Sequence, residues 1–438
     1  KTGLLKEIDN NLELLKRHLP YHESDHVANM AYNILAGGTC LEDIELLRKN
    51  PAWLDALGAQ IIPDPTTAGD FLRRFEEQDV LDFMSTKNNI RKKIWEKQPT
   101  SFKKMAIINV DGTISETYGQ CKQGMDISYN GKWGYAPLII SLAGTREVLY
   151  VVNRSGNAPS HLDSAKWLDK TLDLVSDSFE KVCIRGDTDF SLTSNFDKWD
   201  KRCRFVFGMD ARNNLVKLAG QIPESEWVLL QKEPRKIKTQ PRRKPENVKA
   251  QVVERRKFKN LRTECEHVAE FEYRPGKCKK SYRMIVLRKT IKVLKGQYQL
   301  FDDVRYFFYI TNDDKKPVEQ LIQFYRNRAD HENDIEQLKN GVSALNNPSD
   351  SLISNWAYMA ITSLSWDLKA WYGLLLPYRA LGRSIVRMEF KKFIHTFIQI
   401  PCLIIKSGRK ITYRLVGYND RLKHIFNMFD RMRHFAFP

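Results

Sequence analysis

The sequence predicts an α/β protein with a helical N-terminal domain, a core of short strands and helices, a basic strand-rich insertion into that core, and a helical C-terminal region. Three observations carry the prediction. Apolar residues recur three and four apart through the first hundred positions, as an amphipathic helix requires. From Met105 the pattern changes to short apolar runs, two of which lead into aspartate, as buried strands do when they end at a polar edge. After Cys203 the chain alternates apolar and charged residues and turns basic, and helical spacing returns only near Pro317.

Taken in order, Leu12–Leu15 and Val27–Ala31–Ile34 read as helical, the latter stopped by Gly37-Gly38. Thr67-Ala68-Gly69-Asp70 reads as a capping box ahead of Phe71-Leu72-Arg73-Arg74-Phe75, which completes a first domain at 1–100. Ala106-Ile107-Ile108-Asn109-Val110 is a strand ending at Asp111-Gly112. Pro137–Leu142 and Val148–Val152 are two more, with Gly144-Thr145 as their turn, and a helix from about Leu162 to Phe179 leads to Val182-Cys183-Ile184 and on to Asp187. Strand, strand, strand, helix, strand is the order of the ribonuclease H-like fold, an order that other folds share. It sets the first part of the core at 101–204.

The insertion spans 205–312. There Ala269, Phe271 and Tyr273 alternate with glutamates, Pro275-Gly276 makes a turn, and Tyr282–Leu287 and Tyr306–Ile310 are strands. Within it, Lys232–Arg262 is too charged for a core and reads as a basic ribbon, hairpin or loop. A long helix from Pro317 to about Lys339, ended by Gly341, returns the chain to the core at 313–345, and 346–438 is helical.

Charge narrows the function. A net charge of +18 and a pI near 9.4 favour a polyanionic partner, because each neutralised phosphate releases condensed counterions. Residues 1–100 hold 13 basic and 16 acidic side chains, so the excess lies downstream. It concentrates at 231–262, with 13 basic against 3 acidic, and at 351–438, with 14 against 4. The seven cysteines are odd in number and form no C-x-x-C, which argues against a disulfide framework or a zinc ribbon and for a reducing, intracellular setting. The most apolar stretch, Trp356–Leu376, is interrupted by Asp367 and Lys369, which favours a buried helix or subunit contact over a membrane span. No phosphate-binding G-x-x-x-x-G-K-[ST] loop is present, so no nucleotide cofactor is expected.

Tyr325, Arg328, Glu332 and Lys339 stand at Y-x2-R-x3-E-x6-K spacing, which on one continuous helix shares a face. A carboxylate flanked by a guanidinium, an ammonium and a phenol suits a site that holds a metal ion and grips phosphates around it. The plainer alternative is a solvated ladder of ion pairs, with Glu336 on the same stripe. Asp111 and Asp187 weigh against the ladder, because active-site side chains collect at strand ends in such sheets.

Together, Asp111, the stretch Arg185-Gly186-Asp187-Thr188-Asp189-Phe190 and the Tyr325–Lys339 signature make the chain resemble the cut-and-paste insertion-sequence transposases of the DDE class. Within that class it is similar to the Y-R-E-K group, insertion-sequence families 4 and 1380, over about residues 20–400. The resemblance implies Asp111, Asp187 and Glu332 as catalytic metal ligands for two Mg2+ or Mn2+ ions. It implies Arg328 and Lys339 as phosphate contacts and Tyr325 as a phosphate or base contact. Asp189 rivals Asp187, which is preferred because it follows its strand closely and fits the family's D-x-x-F pattern with Phe190. The implied partners are double-stranded DNA, as terminal inverted repeats and target, and a second copy of the chain on that DNA. The implied route runs through a hairpin at the transposon end, in the bacterial cytoplasm at the nucleoid. The alternatives are a transposase-derived DNA-binding protein that no longer cuts, and a ribonuclease H-like nuclease that never joins ends.

The basic segment supplies further candidate DNA contacts: Arg235, Lys236, Lys238, Arg242, Arg243, Lys244, Arg255, Arg256 and Lys257. Arg379, Arg383, Arg387, Lys391 and Lys392 form either a second DNA surface or a plain exposed face. The N-terminal domain binds DNA ends or another subunit, or is purely structural. His22-Glu23-Ser24-Asp25-His26 matches the H-E-x-x-H zinc pattern, but a helix beginning at His26, capped by Ser24 or Asp25, would separate the histidines. The aromatic residues Trp356, Tyr358, Trp366, Trp371 and Tyr372, at helical spacing, read as core rather than as a base-stacking platform.

Overall fold

The computed structural model describes residues 2–119, 121–230, 261–293, 303–408, 410–416, 422–423 and 426–427. Its contacts divide the chain into two units, Lys1–Ile184 with Arg328–Pro438, and Arg185–Asn327.

In the first unit the short apolar runs form the expected strands. β1 (Ala106–Gly112) is followed by three very short strands, β2 (Ser115–Glu116), β3 (Asp126–Ile127) and β4 (Trp133–Tyr135), which make a small sheet in the order β2-β4-β3. Then come β5 (Leu138–Leu142), β6 (Glu147–Val152), a helix at Ser164–Ser176, and β7 (Val182–Gly186), through which the chain passes into the second unit. The strand order is β6-β5-β1-β7. β1 and β5 run antiparallel with Asp111 opposite Ile139, and β5 and β6 are also antiparallel. Every residue of β5 is buried, as a strand covered on both faces must be.

Helices Glu23–Leu35, Glu77–Glu96 and Leu352–Leu375 pack together, and the last also lies on β6. Trp356, Tyr358, Trp366 and Trp371 are buried in that packing, so the core reading of these aromatics holds. The same packing accounts for the two charges that interrupt the apolar stretch. Asp367 receives Arg91 at 2.7 Å, Lys87 at 3.1 Å and the Val148 amide at 2.8 Å. Arg91 also meets Glu147 at 3.0 Å, and Glu147 accepts the indole N–H groups of Trp95 and Trp371 at 3.0 and 2.7 Å. A buried charge survives only if paired and hydrogen-bonded, and this network pairs each of its four charges. Lys369 donates its ammonium to the carbonyls of Val386 and Met388, at the end of the helix Arg379–Arg387.

Four expectations need correction. Leu12–Leu15 is not helical: the first helix is Leu4–Asn11, and the amides of Leu14 and Leu15 donate to the buried carboxylate of Glu23 at 3.0 and 2.9 Å. Those amides cannot also serve a helix. The helix before Arg73 starts earlier than the capping-box reading placed it, at Pro65–Leu72, with Asp64 accepting from the Thr67 amide at 2.9 Å. The helix of the H-E-x-x-H stretch likewise starts earlier, at Glu23, with His22 at its N-cap and the Asp25 carboxylate accepting from the His22 amide. In the C-terminal region, expected to be helical, β13 (Cys402–Ser407) and β14 (Lys410–Leu415) form an antiparallel hairpin turned at Gly408, whose φ of 61° favours glycine.

The second unit carries β8 (Arg204–Met209), β9 (Val228–Leu229), β10 (Leu261–Tyr273), β11 (Tyr282–Val293) and β12 (Asp303–Thr311) in the order β8-β12-β11-β10-β9. Neighbouring strands of this order run antiparallel, with β10 and β11 joined over Tyr273 opposite Tyr282, at the expected Pro275-Gly276 turn. Val206, Val268, Ile285, Leu287, Leu321 and Ile322 share one apolar cluster, which seats the helix Val318–Arg326 on these strands.

Candidate active site

The stretch expected as one helix from Pro317 to Lys339 is three segments. Val318–Arg326 ends at Asn327, Ala329–Glu336 follows, and Gln337–Gly341 is a π-helical turn. Asparagine is a weak helix former, and its side chain here accepts from Gln323. The division between units falls between Asn327 and Arg328. Tyr325 therefore belongs to the second unit, while Arg328, Glu332 and Lys339 belong to the first, and the four do not share one unbroken helical face.

In the first unit the geometry joins two of the expected acids. Arg328 Nη1 donates to Asp111 Oδ2 at 2.8 Å and Nη2 to Glu332 Oε1 at 3.3 Å. A strand-end aspartate and a helix glutamate, distant in sequence, thus share one guanidinium. Two buried neighbours of Glu332 set its helix. His331 Nδ1 meets Ser141 Oγ at 2.9 Å, and Asp334 lies 3.4 Å from Arg146 Nε. Burial pushes the Asp334 carboxyl up to about 7, against the pull of Arg146 and Lys369.

Lys339 stands in the π turn, a form that recurs at functional sites. It lines a cavity of about 250 Å³ beside Gly112, the residue after Asp111. Burial lowers its ammonium below the usual lysine range, while Glu336 and Glu116 draw it back up. Glu336 also contacts the side-chain amide of Asn340, so it acts as a charge neighbour of Lys339.

In the second unit Asp187 caps the short turn Thr188–Phe190, its carboxylate accepting from the Asp189 amide at 3.1 Å. Asp187 directly follows β7 and is half-buried, whereas Asp189 is exposed. Phe190 is buried and pins the turn. Tyr325 lies close by: a Cβ built on Gly208 of β8 would meet its hydroxyl at 3.0 Å and Thr188 at 3.1 Å. Its ring packs on Tyr309, with centroids 4.5 Å apart. Next to it, Arg185 donates to the Phe324 carbonyl at 2.6 Å and covers the Phe324 ring.

The donor set suits a hard divalent cation, since Asp111 and Glu332 both offer carboxylate oxygens. Of the H-E-x-x-H stretch, His22 and Glu23 cluster with His18, their ligand atoms within 4.8 Å of one another, and His26 takes no part. His26 is buried and stacked on Phe71, with centroids 4.4 Å apart, and burial pushes it down to about 4. Of the other expected DNA contacts, Arg235, Lys236, Lys238, Arg242, Arg243, Lys244, Arg255, Arg256 and Lys257 lie outside the described residues. Arg379, Arg383 and Arg387 line a largely apolar cavity of about 400 Å³ with Phe102, Met105 and Phe179. Sequence reasoning missed Arg154, Ser141 and His331, because their partners are brought to them only by the fold.

A model of the transposase DDE domain, group 1, matches residues 1–435 of the chain. The chain belongs to this family and is a DDE transposase. Among solved structures, the piggyBac transposase synaptic complex with hairpin DNA aligns with a TM-score of 0.38 and 11% identity, over 91% of this chain and 78% of that one. No curated protein matches. Among the described residues no helix is long and apolar enough to cross a membrane.

Proposed function

We propose that this transposase serves a bacterial insertion sequence of the Y-R-E-K group, with a ribonuclease H-like core, and moves its element by a cut-and-paste route. Asp111, Asp187 and Glu332 are the acids that would hold two Mg2+ or Mn2+ ions. The observation that carries the reading is the shared guanidinium: Arg328 gathers Asp111 and Glu332 from distant parts of the sequence. Bound divalent ions would activate the attacking oxygen and stabilise the leaving one.

The chain's own residues supply the rest. Arg328 is placed to neutralise the two acids in the absence of metal and to offer its donors to phosphate oxygens when DNA arrives. Lys339, in its half-buried cavity, is a second phosphate grip, and Tyr325 orients the strand from beside the Asp187 turn. Water cuts one strand, the freed 3′-hydroxyl attacks the opposite strand to form a hairpin, and the reopened end joins target DNA. Each joining step exchanges one phosphodiester for another, so no high-energy cofactor enters. A homodimer would process the two ends, in the cytoplasm at the nucleoid.

The test is incubation of the full chain with labelled DNA carrying the inverted repeats that flank its coding sequence, in Mg2+. The reading expects nicked ends, then hairpins, then joined products. Nicks without hairpins or joining would favour a plain nuclease, and binding without nicks a retired enzyme.

A further inference from the structure

The cavity that receives Lys339 holds a second buried cation that the proposed chemistry leaves without a task. Arg154, just past β6, is 7% exposed and lines the cavity with Gly112, Lys132 and Ser160. Its Nε donates to the Ala136 carbonyl at 2.8 Å, and Nη1 to the carbonyls of Ser160 and Leu162 at 2.9 and 2.8 Å. The guanidinium is thereby fixed. Nη2, however, has no hydrogen-bond partner among the described residues, and lies 3.6 Å from where a Cβ on Gly112 would stand. An unmet buried donor is destabilising, and such groups in native proteins are normally met by water or a ligand.

The walls are one-sided in charge. Lys132, Arg154 and Lys339 line the cavity with one carboxylate, Glu116, which is already in contact with Lys132; outside the lining, Asp163 acts on Arg154 and Glu336 on Lys339. Because residue 112 is glycine, no side chain stands between Arg154 and the edge of the strand that carries Asp111. Cationic donors in excess of the carboxylate that shares the lining, next to a backbone that permits close approach, match a phosphate.

We propose that this cavity is a subsite for one backbone phosphate of the DNA, gripped by Arg154 Nη2 and Lys339 Nζ with the Ser160 hydroxyl as a third donor. Arg154 is then a positioning residue that registers the strand against Asp111. The inference rests on the transposase reading only for the source of the phosphate.

Equilibrium dialysis of the full chain against labelled inorganic phosphate tests the subsite directly. The wild type should bind phosphate saturably. Ser160→Asp, which sets a carboxylate in the cavity and leaves the backbone acceptors of Arg154 intact, should weaken binding about tenfold or more, the worth of one charge-assisted hydrogen bond. Arg154→Lys should also weaken it, and Ser160→Ala should stay within about threefold of wild type. Asp111→Asn should bind phosphate more tightly while losing DNA cleavage, so a failed subsite and a failed transposase reading give different results. Duplexes with one neutral methylphosphonate at successive positions identify the source: at one position Ser160→Asp should cost no further affinity, because the charge it repels is already gone. Phosphate binding unchanged in both Ser160→Asp and Arg154→Lys, or no such position in the duplex, would overturn the proposal.

Discussion

Replacing Arg328 by glutamine separates the two duties assigned to its guanidinium. Without metal, the Arg328–Asp111 pair spans 2.8 Å with the two side chains 15% and 16% exposed, so its loss removes a charge-assisted hydrogen bond from a largely buried carboxylate. That is worth about 1.5–3 kcal/mol for a charge-assisted bond. The Glu332 contact adds well under about 1 kcal/mol, since that carboxylate is 61% exposed. The variant should thus lose about 2 kcal/mol of stability in chelator. Its metal affinity should move the other way. An ion held by the Asp111 and Glu332 carboxylates would be a near neighbour of that positive charge. Even at the dielectric of water, a unit charge and a divalent ion at about 5 Å repel by about 1.7 kcal/mol, so removing Arg328 should tighten Mn2+ binding by about tenfold or more. Paramagnetic resonance of free Mn2+ reads the affinity, and thermal melting with and without Mn2+ reads the recovery of stability. Mn2+ affinity that is unchanged or weaker in Arg328→Gln would refute the placement of the metal at Asp111 and Glu332.

Other outcomes follow from the same contacts. Asp367→Ala should cost about 3–5 kcal/mol in denaturant melts, because it leaves Arg91 and Lys87 buried without their shared carboxylate; a loss under about 1 kcal/mol would mean the network is not needed. His26 binds its proton more weakly folded than unfolded, 6.5 falling to about 4, so the unfolded chain takes up more protons between these values. Stability should fall as pH drops through that window, and His26→Gln should flatten the dependence; an equal slope in the variant would contradict it. Gly208→Ala should displace the Tyr325 hydroxyl, which a Cβ would approach to 3.0 Å, and slow end processing without loss of the fold. Asp189→Asn should leave cleavage within about tenfold of wild type, whereas Asp187→Asn should not; the reverse ranking would move the ligand role to Asp189.

The strands of the core were legible because burial on both faces leaves near-continuous apolar runs, and Ala106–Val110, Leu138–Leu142 and Val182–Ile184 stand where those runs are. The aromatic stripe from Trp356 was legible for the same reason. What escaped was whatever long-range polar contacts decide. Nothing in Leu12–Leu15 announces that Glu23, in the first turn of the next helix, will take its amides. Nothing in the spacing of Tyr325 and Arg328 announces the break at Asn327, because single-residue propensity is a weak signal beside tertiary packing. At the site, Asp111, Arg328 and Glu332 were legible as a pattern, and the structure adds that one guanidinium joins the two acids. Arg154 was invisible: its meaning comes from three backbone carbonyls and a glycine that only the fold brings to it.

The central claim is that Asp111, Asp187 and Glu332 together carry the chemistry. Single-turnover cleavage of terminal-repeat DNA in Mg2+, by wild type beside Asp111→Asn, Asp187→Asn and Glu332→Gln, tests it most directly. Each variant should retain DNA binding and lose cleavage by at least about a thousandfold, the several kcal/mol of transition-state stabilisation that a metal site supplies. Near-normal cleavage by any one of the three would remove that residue from the active site, and near-normal cleavage by all three would contradict the account.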